Sequence, residues 1–183
     1  MKFGICTGYE NADLLKALGY DYVELNLSAL SAMDDAAFAA CRASLEAAKL
    51  PAEAANVFFP GEIRLTGPDV DDAVIAAYTE HALSRAEVLG IRVAVLGSSR
   101  SRNIPEGFDP DVAYRQFLHA LRLCGDIAAR HGVTVAIEPL HFPESNLINR
   151  VSDGLKAARD AAHPAVRTLA DLWHMDCEAE DFS

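Results

Sequence analysis

Short runs rich in β-branched and apolar residues alternate along the chain with longer stretches in which apolar residues recur at helical spacing. This order of elements is typical of a parallel α/β architecture. Two runs, RVAVLGS at 92–98 and VTVAIEPL at 133–140, are almost continuously apolar, as expected of strands that are covered on both faces. The full set of predicted strands covers 2–7, 22–27, 53–59, 92–98, 133–140 and 167–173.

Capping residues predict where the helices between these strands begin and end. Asp109 is followed by Pro110 in the first turn of a helix, and Gly132 stands where a left-handed residue is favoured after the last turn. The predicted helical stretches run from Asn11 to Gly19, Asp34 to Lys49, Asp69 to Gly90, Asp109 to Gly132 and Ser152 to Ala162.

Six strand and helix units do not complete an ordinary TIM barrel, which has eight and typically about 250 residues. An open doubly wound sheet would accommodate six strands, but the first strand-to-helix turn has no GxGxxG and no Walker pattern occurs. We therefore predict an α/β fold, a TIM (β/α)8-type barrel truncated after about six βα units. It forms one domain over residues 1–183 that is incomplete at its C-terminus.

Charge and cysteine content narrow the class of function. Lys and Arg total 16 against 27 Asp and Glu, and the net charge of -11 would repel a phosphate backbone, so no nucleic acid partner is expected. The N-terminus shows no signal peptide and the chain no membrane span, so no membrane partner is expected. The four cysteines are far apart and form no CxxC pair, which favours a reducing cytoplasm over a disulfide framework.

Two carboxylates lie towards the carboxyl ends of adjacent predicted strands. Glu138 ends the apolar run VTVAIE, Asp171 lies in the next run, TLADLW, and His174 comes three residues later. The carboxyl ends of parallel strands meet at one mouth, where α/β barrels build their sites. Carboxylates there suit Mg or Mn, and an imidazole widens the choice towards Co or Zn. The alternative for each residue is a structural hydrogen bond at a strand end.

Several segments resemble signature segments of the sugar isomerase/epimerase group within the xylose-isomerase-like TIM barrel superfamily, which includes ketose 3-epimerases and hydroxypyruvate isomerases. They are VAIEPLHFPESNLIN at 135–149, LADLWHMDCEAED at 169–181, FFPGEIRLTGPDVD at 58–71 and LGSSRSRNIPEGFD at 96–109. The resemblance spans nearly the whole chain. It implies a metal-dependent isomerase or epimerase of carbohydrate metabolism that acts on a small-molecule sugar or sugar phosphate.

The resemblance also implies residue roles. Glu138 would be a metal ligand and one of two catalytic acid/base carboxylates, and Asp171 a second ligand of a divalent ion, Mn, Mg, Co or Zn. Glu144 and His174 would contact substrate oxygens. Arg102, in the loop after the fourth strand, is a further substrate-contact candidate, with a solvated loop arginine as the alternative.

The sequence departs from the family pattern at two places. His141 stands where the epimerases often have an Asn after the EPL segment. The family also takes a third ligand, a His, from the seventh strand and a fourth, a Glu that is the second acid/base group, from the eighth. Both of those strands would lie beyond Ser183.

The sequence also allows functions other than a sugar isomerase or epimerase. The alternatives are a truncated non-catalytic scaffold, a zinc endonuclease or a polyol dehydratase of the same superfamily. The open edges of six strands predict self-association, so a homo-oligomer is possible. Structural roles are expected for several polar residues that lie in strand or helix patterns: Glu24, Glu53, His81, His119 and His131. For the two glutamates the alternative is a place lining the barrel mouth.

Overall fold

The computed structural model describes residues 1–181 as one six-stranded parallel sheet in the order β1-β2-β3-β4-β5-β6. Each strand pairs with the next one along the chain, which confirms the predicted α/β class. The last two residues of the predicted domain, Phe182 and Ser183, lie outside the described residues. The strands are β1 Gly4–Cys6, β2 Tyr22–Asn26, β3 Ala52–Asn56, β4 Val93–Leu96, β5 Thr134–Ile137 and β6 Val166–Thr168.

Eight α-helices connect or follow the strands in the described chain, and one 3-10 turn, Tyr9–Asn11, precedes the first of them. The predicted caps Asp34 and Asp109 accept backbone hydrogen bonds at the starts of α3 and α6. The helices are α1 Ala12–Ala17, α2 Leu27–Ala32, α3 Asp35–Ala48, α4 Asp72–Leu89, α5 Ser99–Arg102, α6 Pro110–Arg130, α7 Val151–Ala161 and α8 Leu172–Cys177.

Several predicted boundaries were wrong, and at two of them an aspartate caps a helix at a position that the sequence did not predict. The helix expected to begin at Asp69 is capped by Asp71, whose carboxylate accepts hydrogen bonds from the N–H groups of Ala73 and Val74. The strand expected to run to 173 ends at Thr168. There, the Asp171 carboxylate accepts hydrogen bonds from the N–H groups of two following residues and starts α8 instead.

The core lies between the sheet and the long helices α4 and α6, which also pack against each other. Leu83 of α4 and Phe117 and Leu121 of α6 are fully buried, as are Val135 and Ile137 of β5. This apolar layer holds the strands so that their carboxyl ends lie together at one end of the sheet, which we call the mouth. Within residues 1–181, no helix is both long and apolar enough to span a bilayer.

Candidate metal centre

The mouth gathers three carboxylates from strands that are far apart in sequence. Glu24 belongs to β2, where the register towards β3 shifts between Val23 and Glu24. Glu138 directly follows β5, and Asp171 follows β6 by three residues. A Cβ at Gly97, the residue after β4, would overlap the Oε2 atom of Glu138. The glycine therefore makes room for the Glu138 carboxylate beside the neighbouring strand.

Glu138 is a partly buried carboxylate without a hydrogen-bonding partner in the described part of the chain. Burial raises its pKa to about 7, and repulsion from Asp171 adds to the rise, while the positive charge of Arg102 opposes it. Burial likewise raises the pKa of Glu24, against a hydrogen bond from Asn56. Carboxylates in such surroundings cost free energy unless a proton or a cation compensates their charge.

Asp171 and His174 come to the same point because α8 begins there. The two hydrogen bonds that cap α8, from the N–H groups of Trp173 and His174, both end on Oδ1 of Asp171, at 2.7 and 3.3 Å. The capping bonds therefore leave Oδ2 available. One potential ligand atom from each of Glu138, Asp171 and His174 lies within 4.8 Å of the other two. Two carboxylates and an imidazole form a donor set that fits a divalent ion such as Mn or Zn.

A second group of potential ligands shares His174 and adds two residues from the turn after β5. The Nδ1 atoms of His141 and His174 are 2.9 Å apart, and Oε2 of Glu144 lies 3.7 Å from Nδ1 of His141. The two imidazole rings are stacked with their centroids 5.1 Å apart. The residue at which this sequence departs from the epimerase pattern, His141, is thus in direct contact with His174.

Arg102 lies in the interior of the protein, below the mouth. Its side chain is fully buried, and its guanidinium donates hydrogen bonds to the backbone carbonyls of Leu96, Glu138 and Ile148. It is therefore neither a solvated loop arginine nor exposed to a ligand in the mouth. Burial lowers its pKa to about 10. Arg102 ties the loop after β4 to the two segments that follow β5.

Of the two glutamates that could line the mouth, Glu24 lies there and Glu53 is at the opposite end of the strands. Glu24 and Asn56 border a cleft of about 630 Å³ that opens between the ends of β1, β2 and β3. Glu53, at the start of its strand, pairs with Lys2 at the amino ends of the strands. Strand register separates them: Glu24, the middle residue of β2, is paired with Cys6 at the carboxyl end of β1, whereas Glu53 is the second residue of β3.

Comparison with known proteins gives one family and a consistent set of similar folds. A family model described as a xylose isomerase-like TIM barrel matches residues 12–182. No curated protein sequence matches the chain. The solved structure of D-psicose 3-epimerase with D-tagatose, from Clostridium cellulolyticum H10, has a TM-score of 0.88 at 20% identity, over 100% of this chain and 67% of that chain.

Two further solved structures have the same fold. The 3-keto-D-glucoside 4-epimerase of E. coli has a TM-score of 0.81 at 20% identity, over 99% of this chain and 72% of that one. An AP endonuclease of family 2 from Brucella melitensis has a TM-score of 0.82 at 19% identity, with the same coverage of 99% and 72%. Because the family model spans nearly the whole sequence, the chain belongs to the xylose isomerase-like TIM barrel family.

Proposed function

We propose that this chain carries the metal-binding part of a sugar isomerase or epimerase that acts on a ketose or a related hydroxy-carbonyl compound. The observation that carries the proposal is the convergence of Glu138, Asp171 and His174, whose ligand atoms lie within 4.8 Å of one another at the mouth. The similarity in fold to two sugar epimerases supports the class of substrate.

In this proposal Glu138 and Asp171 hold a divalent ion, Mn, Mg, Co or Zn. Such an ion, when bound, polarises the carbonyl of the substrate and makes the neighbouring C–H bond more acidic. The Glu138 carboxylate then removes the proton from the carbon next to the carbonyl, and an enediolate remains. Burial raises the pKa of Glu138 to about 7 in the metal-free chain, and a cation beside it would favour the ionised form that accepts a proton.

A complete reaction needs a second acid/base group on the opposite face of the enediolate. Return of the proton to the same carbon with inverted configuration gives epimerisation, and return to the adjacent carbon gives isomerisation. The resemblance assigns this second group to the eighth strand of a complete barrel, whereas six strands are described here. Glu144 and His174 lie beside Glu138 and Asp171, where we assign them contacts with substrate oxygens.

The overall charge separates this proposal from a zinc endonuclease, although an AP endonuclease has a similar fold. A net charge of -11 gives DNA an unfavourable approach. A non-catalytic scaffold is the second alternative, since the chain spans about two thirds of the length of the D-psicose 3-epimerase chains that it matches. A polyol dehydratase would use the same metal-binding residues on a different substrate.

The first test is calorimetric titration of Mn into the chain and into Glu138→Gln and Asp171→Asn. We expect binding that weakens at least tenfold in each variant, because each substitution replaces a charged ligand. Glu53→Gln is the matched control, since it removes a carboxylate at the amino ends of the strands, and it should leave Mn binding unchanged. Equal Mn affinity in all four chains would refute the assignment of the ligands.

The second test follows proton abstraction itself. The chain is incubated with Mn and D-fructose or D-tagatose in D2O, and deuterium at the carbon next to the carbonyl is measured by NMR. This readout requires one base, so it does not depend on the second acid/base group. Incorporation that is lost in Glu138→Gln supports the proposal; binding of Mn without incorporation for any ketose would favour the scaffold.

A further inference from the structure

The turn after β5 presents two side chains towards α8 that the proposed reaction does not use as metal ligands. His141 and Glu144 are three residues apart, and the N–H of Glu144 donates a hydrogen bond to the carbonyl of His141 at 2.9 Å. The N–H of Ser145 donates to the same carbonyl at 3.2 Å. This tight turn brings the imidazole of His141 and the carboxylate of Glu144 to the same side of the loop.

The turn is anchored on both sides. Asn103 donates a hydrogen bond to the carbonyl of Glu144 at 3.2 Å and accepts one from the hydroxyl of Ser145 at 2.8 Å. The N–H of Phe142 donates to a carboxylate oxygen of Glu178, just after α8, at 2.6 Å. Because α5, the turn and α8 are joined in this way, His141 and Glu144 are held in place before any ligand arrives.

The contact between the two imidazoles requires a proton or a cation between them. The Nδ1 atoms of His141 and His174 are 2.9 Å apart. His174 Nδ1 also accepts a hydrogen bond from the backbone N–H of His141 at 3.2 Å, so it presents a lone pair. Two lone pairs at this separation would repel each other. His141 therefore places its own Nδ1 proton there. A cation bound between the rings would replace both hydrogen bonds to His174 Nδ1, with the proton of His141 carried on Nε2 instead.

The distances are close to those of a tetrahedral zinc site. Zn–N and Zn–O bonds of about 2.0 to 2.1 Å at tetrahedral angles place neighbouring ligand atoms about 3.3 Å apart. The observed separations of 2.9 Å between the nitrogens and 3.7 Å from nitrogen to the Glu144 oxygen lie on either side of this value. The ligand atoms of Glu144 and His174 lie within 4.8 Å of each other, so side-chain movement, mainly of the half-exposed Glu144, would complete three corners of a tetrahedron, with the fourth open to water.

We propose that His141, Glu144 and His174 form a second divalent cation site that prefers Zn²⁺. Two imidazoles and one carboxylate favour Zn²⁺ over Mg²⁺ or Mn²⁺, which prefer oxygen ligands. The site lies beside the first one, and a cation there reduces the negative charge around Glu138. It also occupies Glu144 and His174, so it competes with the substrate contacts assigned to these two side chains. It depends on the presence of His141 in this chain and does not rest on the proposed isomerase or epimerase reaction.

The experiment isolates this site by disabling the first one. All chains carry Cys6→Ser and Cys177→Ser, because exposed thiols bind zinc. In the background of Glu138→Gln and Asp171→Asn, Zn²⁺ affinity is measured by competition with a chromophoric chelator, with and without His141→Asn. Asn at position 171 preserves a helix cap, so α8 should persist. His119→Asn is the matched control, since His119 is an exposed histidine of α6 that pairs with Asp72.

We expect Zn²⁺ to bind the background chain and to bind at least tenfold more weakly after His141→Asn, with no change after His119→Asn. Absence of Zn²⁺ binding to the background chain, or equal affinity with and without His141→Asn, would overturn the proposal. Loss of Mn binding in Glu138→Gln tests the other site, so the two proposals fail independently.

A second measurement uses the chain with its ligands intact and so does not depend on the folding of a variant. Zn²⁺ is added up to two equivalents while the six imidazoles are followed by ¹H–¹⁵N NMR. The proposal requires the ring signals of both His141 and His174 to shift, with His81 and His119 unaffected. A His141 signal that stays in place up to two equivalents would contradict it.

Discussion

Carboxylates at the two ends of the sheet differ in the partners that balance their charge. At the amino ends of the strands, Lys2 pairs with Glu53, and His131 lies between Glu80 and Glu87 at 3.0 and 2.7 Å. Each of these carboxylates has a cationic or hydrogen-bonding partner. These pairs lie at the surface, where an individual ion pair contributes little to stability.

At the mouth, burial and neighbouring carboxylates raise the pKa of Glu138 and of Glu24 instead. The Glu138 carboxylate is partly buried, and repulsion from Asp171 and Glu24 adds to the effect of that burial. The cation beneath them, Arg102, donates its N–H groups to backbone carbonyls. The mouth therefore carries uncompensated negative charge, which destabilises the metal-free chain and favours a bound cation.

The largest effect on the free energy of unfolding should come from removing the buried cation, Arg102. Arg102→Met leaves three backbone carbonyls without their donor and takes a positive charge away from Glu138, so we expect a loss of about 3 kcal/mol in unfolding free energy. Urea denaturation measures it. Arg100→Met, an exposed arginine of the same short helix, is the control; equal losses in the two variants would show that the interior contacts of Arg102 contribute nothing.

The second-largest effect on the free energy of unfolding should come from removing the negative charge of Glu138 at the mouth. A carboxyl whose pKa rises on folding destabilises the folded chain increasingly as the pH goes from the pKa of the unfolded state, 4.5, to the pKa of the folded state, about 7. Glu138→Gln should therefore stabilise the metal-free chain by about 2 kcal/mol at pH 8 and by less at pH 5.

Urea denaturation at the two pH values in the presence of a chelator measures this gain. Glu53→Gln, at the paired end, should show no such pH-dependent gain. A Glu138→Gln variant that is equally stabilised at pH 5 and pH 8 would mean that ionisation of Glu138 is not the cause.

Metal binding should depend on pH for the same reason. With a pKa of about 7, Glu138 is ionised in most molecules at pH 8 and in about a tenth of them at pH 6. Mn should therefore bind about tenfold more weakly at pH 6 than at pH 8. Calorimetry in buffers of matched ionic strength measures the ratio, and an affinity that is constant over this range would be at odds with Glu138 as a ligand.

The smallest effect is expected at the paired end. Burial lowers the pKa of His131, but its hydrogen bonds with Glu87 and Glu80 outweigh burial, so the pKa is raised overall. Protonated His131 therefore stabilises the fold fully when the pH is below 6.5, the pKa of histidine in the unfolded state. This contribution disappears as the pH rises through the pKa of His131 in the folded state.

His131→Gln should accordingly cost less than about 1 kcal/mol, and more at pH 6 than at pH 9. Thermal unfolding at the two pH values measures the difference, with His119→Gln as a control on a more exposed pair. A larger cost at pH 9 than at pH 6 would reverse the sign and contradict the assigned pairing.

The positions of the six strands followed from the sequence, whereas three short helices did not. Apolar runs such as RVAVLGS and VTVAIEPL identify strands because burial on both faces is a local property of the sequence. The helices α2, α5 and α8 directly follow strands or their loops and have six residues or fewer. Helices this short are only marginally stable alone, so their contacts with the rest of the fold decide whether they form.

The sequence by itself determined the α/β class, the order of strands and helices, and the placement of Glu138 and Asp171 towards the carboxyl ends of adjacent strands. The tertiary structure alone decided that Glu24 lies at the mouth, that Arg102 is buried beneath it, and that His141 contacts His174. Periodicity and capping act over a few residues and can be read along the chain. Contacts between residues 33 or more positions apart, such as that between the two histidines, exist because the packed core fixes the distance between the strands that carry them.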